Sequence, residues 1–281
     1  MTRLIFIATG DIALPSFRRL LEHGPRPLAL VTQPDKPVGR KQILTPPAIK
    51  ILALEAGIPV YQPEKIGDIT EDLRALDPEF VVVMAYGQIL RKNILTLADK
   101  AIINLHASLL PKYRGAACIQ AAIDAGDAET GITAMHVVRE LDAGDVILTK
   151  SIPIAADETG GSLHDKLADL AADVLTETLD LLENNRAPRI PQDPALVSYI
   201  PKLDREHGRI DWTMDAAAIE RRIRAYDPWP GTYTEAIENG VSKRLKIHPP
   251  TAVIETALAP GEVRIDGSRL IIGCGTDALE L

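Results

Sequence analysis

Residues 102–120 have the sequence IINLHASLLPKYRGAACIQ, which joins a short apolar run to a loop and then to a helical pattern. The run Ile102–His106 predicts a buried strand, because short apolar runs bounded by turn signals are typical of strands in a covered sheet. Pro111 and Gly115 punctuate the loop that follows, and residues 116–125 predict a helix. This segment therefore predicts a strand–loop–helix unit.

The rest of the first half alternates strands and helices in the same way. Helical spacing occurs at residues 12–22 and 48–56, and apolar runs that predict buried strands occur at residues 4–9, 27–33, 58–62 and 80–85. Two further strands are predicted at residues 131–138 and 146–154, followed by a long amphipathic helix at residues 162–184. The alternation predicts the α/β fold class, with a Rossmann-like, mostly parallel sheet and helices on both faces.

The composition changes at residues 186–201, RAPRIPQDPALVSYIP, where four prolines break any continuous element. Beyond it, the pattern predicts a helix at residues 215–224 and short strands at residues 232–237, 244–248, 261–265 and 270–272. Short strands of this kind are typical of a small β-rich, barrel-like domain. We therefore predict a first domain at residues 1–189, a linker at residues 190–204 and a C-terminal domain at residues 205–281.

Composition and charge exclude several classes of protein. Of the 281 residues, 46% are hydrophobic and 25% are charged, which excludes a mainly disordered chain. The two cysteines lie far apart in the sequence, which argues against a disulfide framework or a cysteine-rich zinc site. No signal peptide and no apolar run of about 18 residues is present, so we expect a cytoplasmic protein without a membrane span. The net charge of −8 argues against a broadly basic nucleic-acid-binding surface.

Three polar residues recur along the predicted strand at residues 102–106 and just beyond it. Asn104, His106 and Ser108 are two positions apart, so they share one face at the end of a strand where open parallel sheets bind ligands. An imidazole exchanges protons near neutral pH, and an asparagine amide donates a hydrogen bond to a developing oxyanion. The alternative is that Asn104 caps a turn and His106 is a hydrogen-bonded core residue.

A carboxylate that orients the imidazole would complete such a site. The turn LDAGD at residues 141–145 offers Asp142 and Asp145, and spacing alone does not choose between them. The sequence lacks the GxSxG elbow of the α/β-hydrolases and the GxGxxG motif of dinucleotide-binding proteins. Its six histidines never have HxH or HxxxH spacing, so we expect no metal site.

Several segments together resemble the formyltetrahydrofolate-dependent formyltransferase family. The central one is NLHASLLPKYRG at residues 104–115. Others are TQPDKPVGR (32–40), VVVMAYGQIL (81–90), AGDAETGITAM (125–135), LDAGD (141–145), IDW (210–212) and RAYDPWPGT (224–232). Their order and spacing are most similar to the family members that act on methionyl initiator tRNA.

The resemblance implies that a formyl group passes from the co-substrate 10-formyltetrahydrofolate to the α-amino group of methionine on initiator tRNA, by direct attack of the amine. It implies that Asn104, His106 and Asp142 are catalytic, which selects Asp142 over Asp145. It also implies folate-binding residues in two segments of the chain, the loop after the strand at residues 102–106 and the loop after the strand at residues 80–85. These residues are Ser108, Leu109, Leu110, Pro111, Ala85, Tyr86 and Gly87.

The loop at residues 33–50 carries four basic residues against one acidic residue. The resemblance implies that this loop contacts the acceptor stem, with Arg40 as the first candidate and Lys36 and Lys41 beside it. Charge alone favours a solvated connection instead. The C-terminal domain offers further cations at Arg221, Arg222, Arg224, Lys243, Arg244 and Lys246. A monomer is the default expectation.

Three features depart from the family pattern. Residues 9–11 are TGD where GTP is usual, Cys118 stands where proline is usual, and the chain ends at Leu281 before the further structure usual in relatives. A truncated C-terminal domain is therefore one expectation. The alternatives are a formyltransferase for a sugar nucleotide or a phosphoribosyl amine, a hydrolase of formyltetrahydrofolate, and a catalytically idle RNA- or folate-binding protein.

Overall fold

The computed structural model describes residues 2–39, 41–238 and 241–281. The chain forms two compact units. The first comprises the chain up to Arg114 together with Gly131–Ser151 and Asp165–Ser198, and the second comprises Gly115–Thr130, Ile152–His164 and Tyr199–Leu281. The division into domains at residues 1–189 and 205–281 stays a prediction.

The first unit is built around a seven-stranded sheet. Its strands are β1 (Leu4–Ala8), β2 (Ala29–Val31), β5 (Val60–Tyr61), β6 (Phe80–Met84), β7 (Ala101–His106), β9 (Glu129–His136) and β10 (Val146–Pro153). Strands β3 (Lys36–Val38) and β4 (Ile43–Thr45) form a separate hairpin. A further two-stranded sheet, apart from the main one, consists of β8 (Arg114–Gly115) and β11 (Tyr199–Ile200). The order is β10-β9-β7-β6-β1-β2-β5. Strands β5, β2, β1, β6 and β7 run parallel, and β9 runs antiparallel to β7. The predicted α/β class with a mostly parallel sheet is confirmed.

Helices cover both faces of this sheet. They are α1 (Leu14–His23), α2 (Ala48–Glu55), α3 (Thr70–Arg74) and α5 (Gly160–Glu183), whereas α4 (Cys118–Asp124) and α6 (Ala216–Ala225) belong to the second unit. Phe6 of β1 meets Phe17 of α1 edge to face with ring centroids 5.4 Å apart, while Ile5 and Ile7 point the other way and pack in one cluster with Leu73 of α3. All five residues of β1 are buried, as its unbroken apolar sequence predicts.

The segment at residues 33–50 differs from the loop that the sequence predicts. It contains the antiparallel hairpin β3–β4, in which Lys36 pairs with Thr45 and Val38 with Ile43. Every residue of both strands is exposed. Pro37 within β3 and the absence of a buried face remove the alternating pattern from which a strand is predicted.

The second unit confirms the predicted β-rich region. Its strands are β12 (Thr232–Glu238), β13 (Val241–Ile247), β14 (Ala252–Ile254), β15 (Val263–Asp266), β16 (Arg269–Gly273) and β17 (Ala278–Glu280). They form an antiparallel hairpin, β12–β13, and a four-stranded antiparallel sheet in the order β14-β17-β16-β15. Ala216, Ile219 and Ile223 repeat at helical spacing on α6 and pack with Ile247 and Leu279 in one buried cluster. No helix in the described ranges combines the length and the apolar character that crossing a bilayer requires.

Candidate active site

Strand β7 presents Asn104 and His106 on the same face. The strand lies between parallel β6 and antiparallel β9, where Asn104 pairs with Val83 and Met135, and His106 pairs with Thr133. Asn104 is half-buried, and among the described residues its side-chain amide has no hydrogen-bond partner. His106 is buried. The β7 strand therefore carries an unengaged amide beside a buried imidazole.

The imidazole of His106 is oriented by the loop that follows it. Its Nε2 lies 2.9 Å from the carbonyl oxygen of Tyr113. Because a carbonyl oxygen only accepts hydrogen bonds, Nε2 carries the proton in this contact. The neutral ring then has its lone pair on Nδ1, which lies 3.8 Å from Oδ2 of Asp142. That separation is too long for a direct hydrogen bond, but the carboxylate charge favours an imidazolium that forms at this position.

The geometry separates the two aspartates of the LDAGD turn. Asp142 faces His106 with its side chain 11% exposed, whereas the Asp145 carboxylate lies 3.5 Å from Arg189 on the surface. Asp142 has a φ of 50°, and the turn rests directly on β9. A Cβ at Gly144 would overlap the carbonyl oxygen of His136, so this position requires glycine. The structure thus brings Asn104, His106 and Asp142 together and leaves Asp145 outside.

The loop at residues 108–113 is shaped by its own hydrogen bonds. Ser108 is fully buried and its hydroxyl donates to the carbonyl of Lys112 at 2.7 Å. Thr133 of β9 donates to the carbonyl of Ser108 at 2.7 Å and accepts from the backbone N–H of Leu110 at 3.2 Å. Leu109, Leu110 and Pro111 are half-buried, so part of each faces solvent. Ser108 therefore fixes the loop. Leu109, Leu110 and Pro111 are partly accessible, and Lys112 is exposed.

The segment after β6 forms a sharp turn. Ala85 and Gly87 are exposed and have φ values of 46° and 85°. The carbonyl of Ala85 accepts a hydrogen bond from the backbone N–H of Gly10 at 3.2 Å. Tyr86 between them is buried, its hydroxyl has no partner among the described residues, and burial raises the pKa of this phenol to about 12. At this turn the backbone and Ala85 are accessible, while the Tyr86 ring belongs to the core.

The candidate RNA contacts on the β3–β4 hairpin are only partly described. Lys36 and Lys41 are exposed, and Arg40 lies outside the described residues. Lys50 at the end of this segment forms an ion pair with Asp35 at 2.8 Å. The hydrogen bonds from Gln62 and Lys50 lower the pKa of that carboxyl, which stays charged at neutral pH.

The six candidate cations of the second unit, three on α6 and three on β13, fall into two groups. Arg222 of α6 binds Asp124 at 3.1 Å, and Arg224 binds Glu220, so both stabilise the fold. Arg221 also donates to the backbone carbonyl of Asp124 at 3.2 Å. Lys243, Arg244 and Lys246 on β13 are exposed, although Arg244 also lies 3.9 Å from Glu206 and 3.9 Å over the Tyr233 ring. The positive charge of β13 is therefore more accessible than that of α6.

The sequence does not predict two contacts at the site, one made by the buried Thr133 and one by the half-buried Gln192. Thr133 is part of the GITAM segment, but nothing in the local sequence distinguishes it from any other residue of a buried strand. Gln192 lies in the proline-rich segment that predicts a linker, yet its side chain contacts the Asp142 turn. No signal in the sequence identifies either contact, because each depends on segments far apart along the chain.

Comparison with known proteins identifies the family. The family described as formyl transferase matches residues 7–179, and the formyl transferase C-terminal domain matches residues 202–281. The chain belongs to the formyl transferase family. The family predicted from the motifs is thereby confirmed.

Individual relatives agree with this assignment. The methionyl-tRNA formyltransferase of Akkermansia muciniphila is 52% identical over 282 residues, covering 99% of this chain and 90% of the relative. That of Moorella thermoacetica is 44% identical, covering 99% and 89%. The crystal structure of WlaRD, a sugar 3N-formyl transferase in the presence of dTDP and 5-N-formyl-THF, has a TM-score of 0.70 at 18% identity, covering 100% of this chain and 97% of that one. This last similarity shows a shared fold.

Proposed function

We propose that this enzyme transfers the formyl group of 10-formyltetrahydrofolate to the α-amino group of methionine on initiator tRNA. The observation that carries the proposed chemistry is the convergence of Asn104, His106 and Asp142 at the end of β7. The 52% identity to a methionyl-tRNA formyltransferase over nearly the whole chain supports the choice of substrate. The formyl donor is supported by the structural neighbour that was solved with 5-N-formyl-THF.

The chemistry that these residues support is a direct transfer between two nitrogens. The neutral amine attacks the formyl carbon, and its proton passes to Nδ1 of His106. Asn104 donates a hydrogen bond to the oxyanion that develops on the formyl oxygen, an interaction typically worth about 10²–10³ in rate. The same proton then passes to the folate nitrogen as its bond to carbon breaks, so His106 ends the cycle neutral.

Asp142 supports this cycle through its charge. Its Oδ2 lies 3.8 Å from the Nδ1 that receives the proton, and Nε2 is already committed to the Tyr113 carbonyl. The imidazolium is therefore formed beside a carboxylate, whose charge lowers the free energy of the charged intermediate state. Removal of the carboxylate leaves the ring in position but weakens its ability to accept the proton.

We assign folate binding to the two loops beside these residues. Leu109, Leu110 and Pro111 contribute accessible apolar surface, and Ser108 holds their backbone in place. On the β6 side, Ala85 and Gly87 contribute an exposed turn, and Tyr86 anchors it in the core. Contact with tRNA is assigned to Lys36, Arg40 and Lys41, in a cytoplasmic monomer with a catalytic first domain and a C-terminal tRNA-binding domain.

One assay separates the proposed function from its alternatives. The purified chain is incubated with 10-formyltetrahydrofolate, labelled in the formyl carbon, and methionyl initiator tRNA, a dTDP-amino sugar or buffer alone. We expect label on the methionine of the tRNA and little elsewhere. Label on the sugar would support a sugar formyltransferase, and free labelled formate in buffer would support a hydrolase; either result without labelled tRNA contradicts the proposal.

A further inference from the structure

The side chain of Gln192 joins the turn that carries Asp142. Its Nε2 donates to the backbone carbonyl of Asp142 at 2.8 Å and to that of Gly144 at 2.9 Å. Both N–H groups of the amide are therefore used by one turn. These bonds come from a segment about 50 residues further along the chain, so they are tertiary contacts and not part of the local turn geometry.

The other half of the amide is held by Arg114. The guanidinium Nε and Nη2 donate to Oε1 of Gln192 at 3.0 and 2.7 Å. Arg114 is buried and can only donate hydrogen bonds, which fixes the orientation of the amide: its oxygen faces Arg114 and its nitrogen faces the turn. Arg114 directly follows Tyr113, whose carbonyl accepts the hydrogen bond from His106. The amide thus connects the loop that orients His106 with the turn that presents Asp142.

The backbone of Asp142 has an uncommon conformation, which tertiary hydrogen bonds help to hold. Its φ is 50°, in the left-handed region that few residues other than glycine adopt, although aspartate tolerates it better than most. Its carbonyl, which Gln192 holds, is part of the same residue whose carboxylate faces His106. A small rotation of this backbone would move Oδ2 away from Nδ1.

We propose that Gln192 is a positioning residue for formyl transfer, a role that rests on the proposed function. By fixing the backbone of Asp142 against Arg114, it keeps the carboxylate beside the imidazole that accepts the proton. The polar atoms of its amide are bonded to Arg114 and to the turn. Loss of its two N–H donors should therefore slow the chemical step and leave substrate binding nearly unchanged.

The sharpest test is Gln192→Glu. Glutamate has almost the same shape and keeps an oxygen acceptor for Arg114, but it places an oxygen where the two turn carbonyls now receive N–H donors. Thermal unfolding of the variant checks that the fold is retained. We expect kcat to fall roughly 10-fold while KM for 10-formyltetrahydrofolate and for methionyl-tRNA changes by less than about 2-fold, because misplacement of a catalytic group affects mainly the chemical step. Leu196→Ala, at a 63% exposed position in the same segment, is the matched control and should leave both constants unchanged.

A second measurement distinguishes positioning from general stability. In an Asp142→Ala background, Gln192→Glu should change kcat by less than about 2-fold, because the group that Gln192 positions is gone. In the otherwise unchanged chain, Gln192→Asn keeps the amide but is one methylene shorter. Its kcat should lie between that of Gln192→Glu and that of the wild type.

The outcomes separate the two proposals. Unchanged kcat in Gln192→Glu, or an equal loss of kcat in the wild-type and Asp142→Ala backgrounds, would overturn the positioning role while wild-type formylation of methionyl-tRNA still stands. A wild-type chain that fails to formylate methionyl-tRNA would remove the proposed function and this inference with it.

Discussion

The carboxyl end of β7 and the β3–β4 hairpin both carry polar residues selected from the sequence, but the chain holds them in opposite ways. At β7, His106 and Ser108 are buried and bonded to neighbouring backbone. On the hairpin, Lys36 and Lys41 are exposed, and every strand residue faces solvent. The first region suits chemistry, which requires fixed geometry, and the second suits binding to an extended anionic surface, which requires charge. Substitutions in the two regions should therefore affect different kinetic constants.

The largest effects are expected at the catalytic trio. Asn104→Ala, His106→Ala and Asp142→Ala should each lower kcat by at least about 10², because each removes a group that acts in the transition state. Thermal unfolding should show that the fold is retained, since Asn104 has no hydrogen-bond partner among the described residues and the strand bonds are backbone bonds. Steady-state formylation of methionyl-tRNA measures the effect, and a normal kcat in all three variants would remove the proposed active site.

Gly144→Ala should have a smaller effect on kcat, because it displaces Asp142 without removing it. In Gly144→Ala the new Cβ would overlap the His136 carbonyl oxygen, so the turn must shift and carry Asp142 with it. We expect kcat to fall roughly 10-fold or more, as expected for a displaced catalytic group.

Gly67→Ala is the matched control for the turn. The nearest atom that its Cβ would meet is Nδ2 of Asn93 at 3.4 Å, an ordinary contact. Its kcat should equal that of the wild type. If Gly144→Ala retained full activity with an unchanged melting temperature, the tight fit of the turn on β9 would be irrelevant to function.

The smallest effects are expected on the hairpin. Lys36→Ala and Lys41→Ala should leave kcat at saturating tRNA unchanged and raise KM for tRNA several-fold. Each lost phosphate contact should also reduce the dependence of log KM on log salt concentration by about 0.7–0.9. Lys92→Ala, an exposed lysine outside the hairpin, is the control. If the KM for tRNA depended neither on salt concentration nor on Lys36 and Lys41, the hairpin would be a solvated connection that does not contact tRNA.

The sequence predicts the part of the fold that apolar runs encode. The strands at Leu4–Ala8, Phe80–Met84 and Ala101–His106 lie within one residue of the predicted bounds, because buried parallel strands leave an unbroken apolar signal. The exposed strands β3 and β4 leave no such signal, so the sequence predicts a loop there. Their pairing depends on backbone bonds that composition does not report.

The sequence also predicts only part of the candidate site. Strand alternation places Asn104 and His106 on one face, and the structure agrees. The choice between Asp142 and Asp145 depends on a turn with a positive φ and a glycine pressed against β9, and alternation says nothing about turns. Gln192 could not be predicted at all, since its contacts are made across about 50 residues from a segment whose prolines indicate a linker. The catalytic and binding roles themselves stay predictions.

The central claim is that His106 and Asp142 act as one unit on the transferred proton. A double-mutant cycle in single-turnover formylation of methionyl-tRNA tests it most directly, since it isolates the chemical step from binding and product release. The account predicts that His106→Ala/Asp142→Ala reacts within about 3-fold of His106→Ala alone, because the carboxylate has no role without the imidazole. Losses that multiply, to about 10⁴ for the double variant, would contradict it.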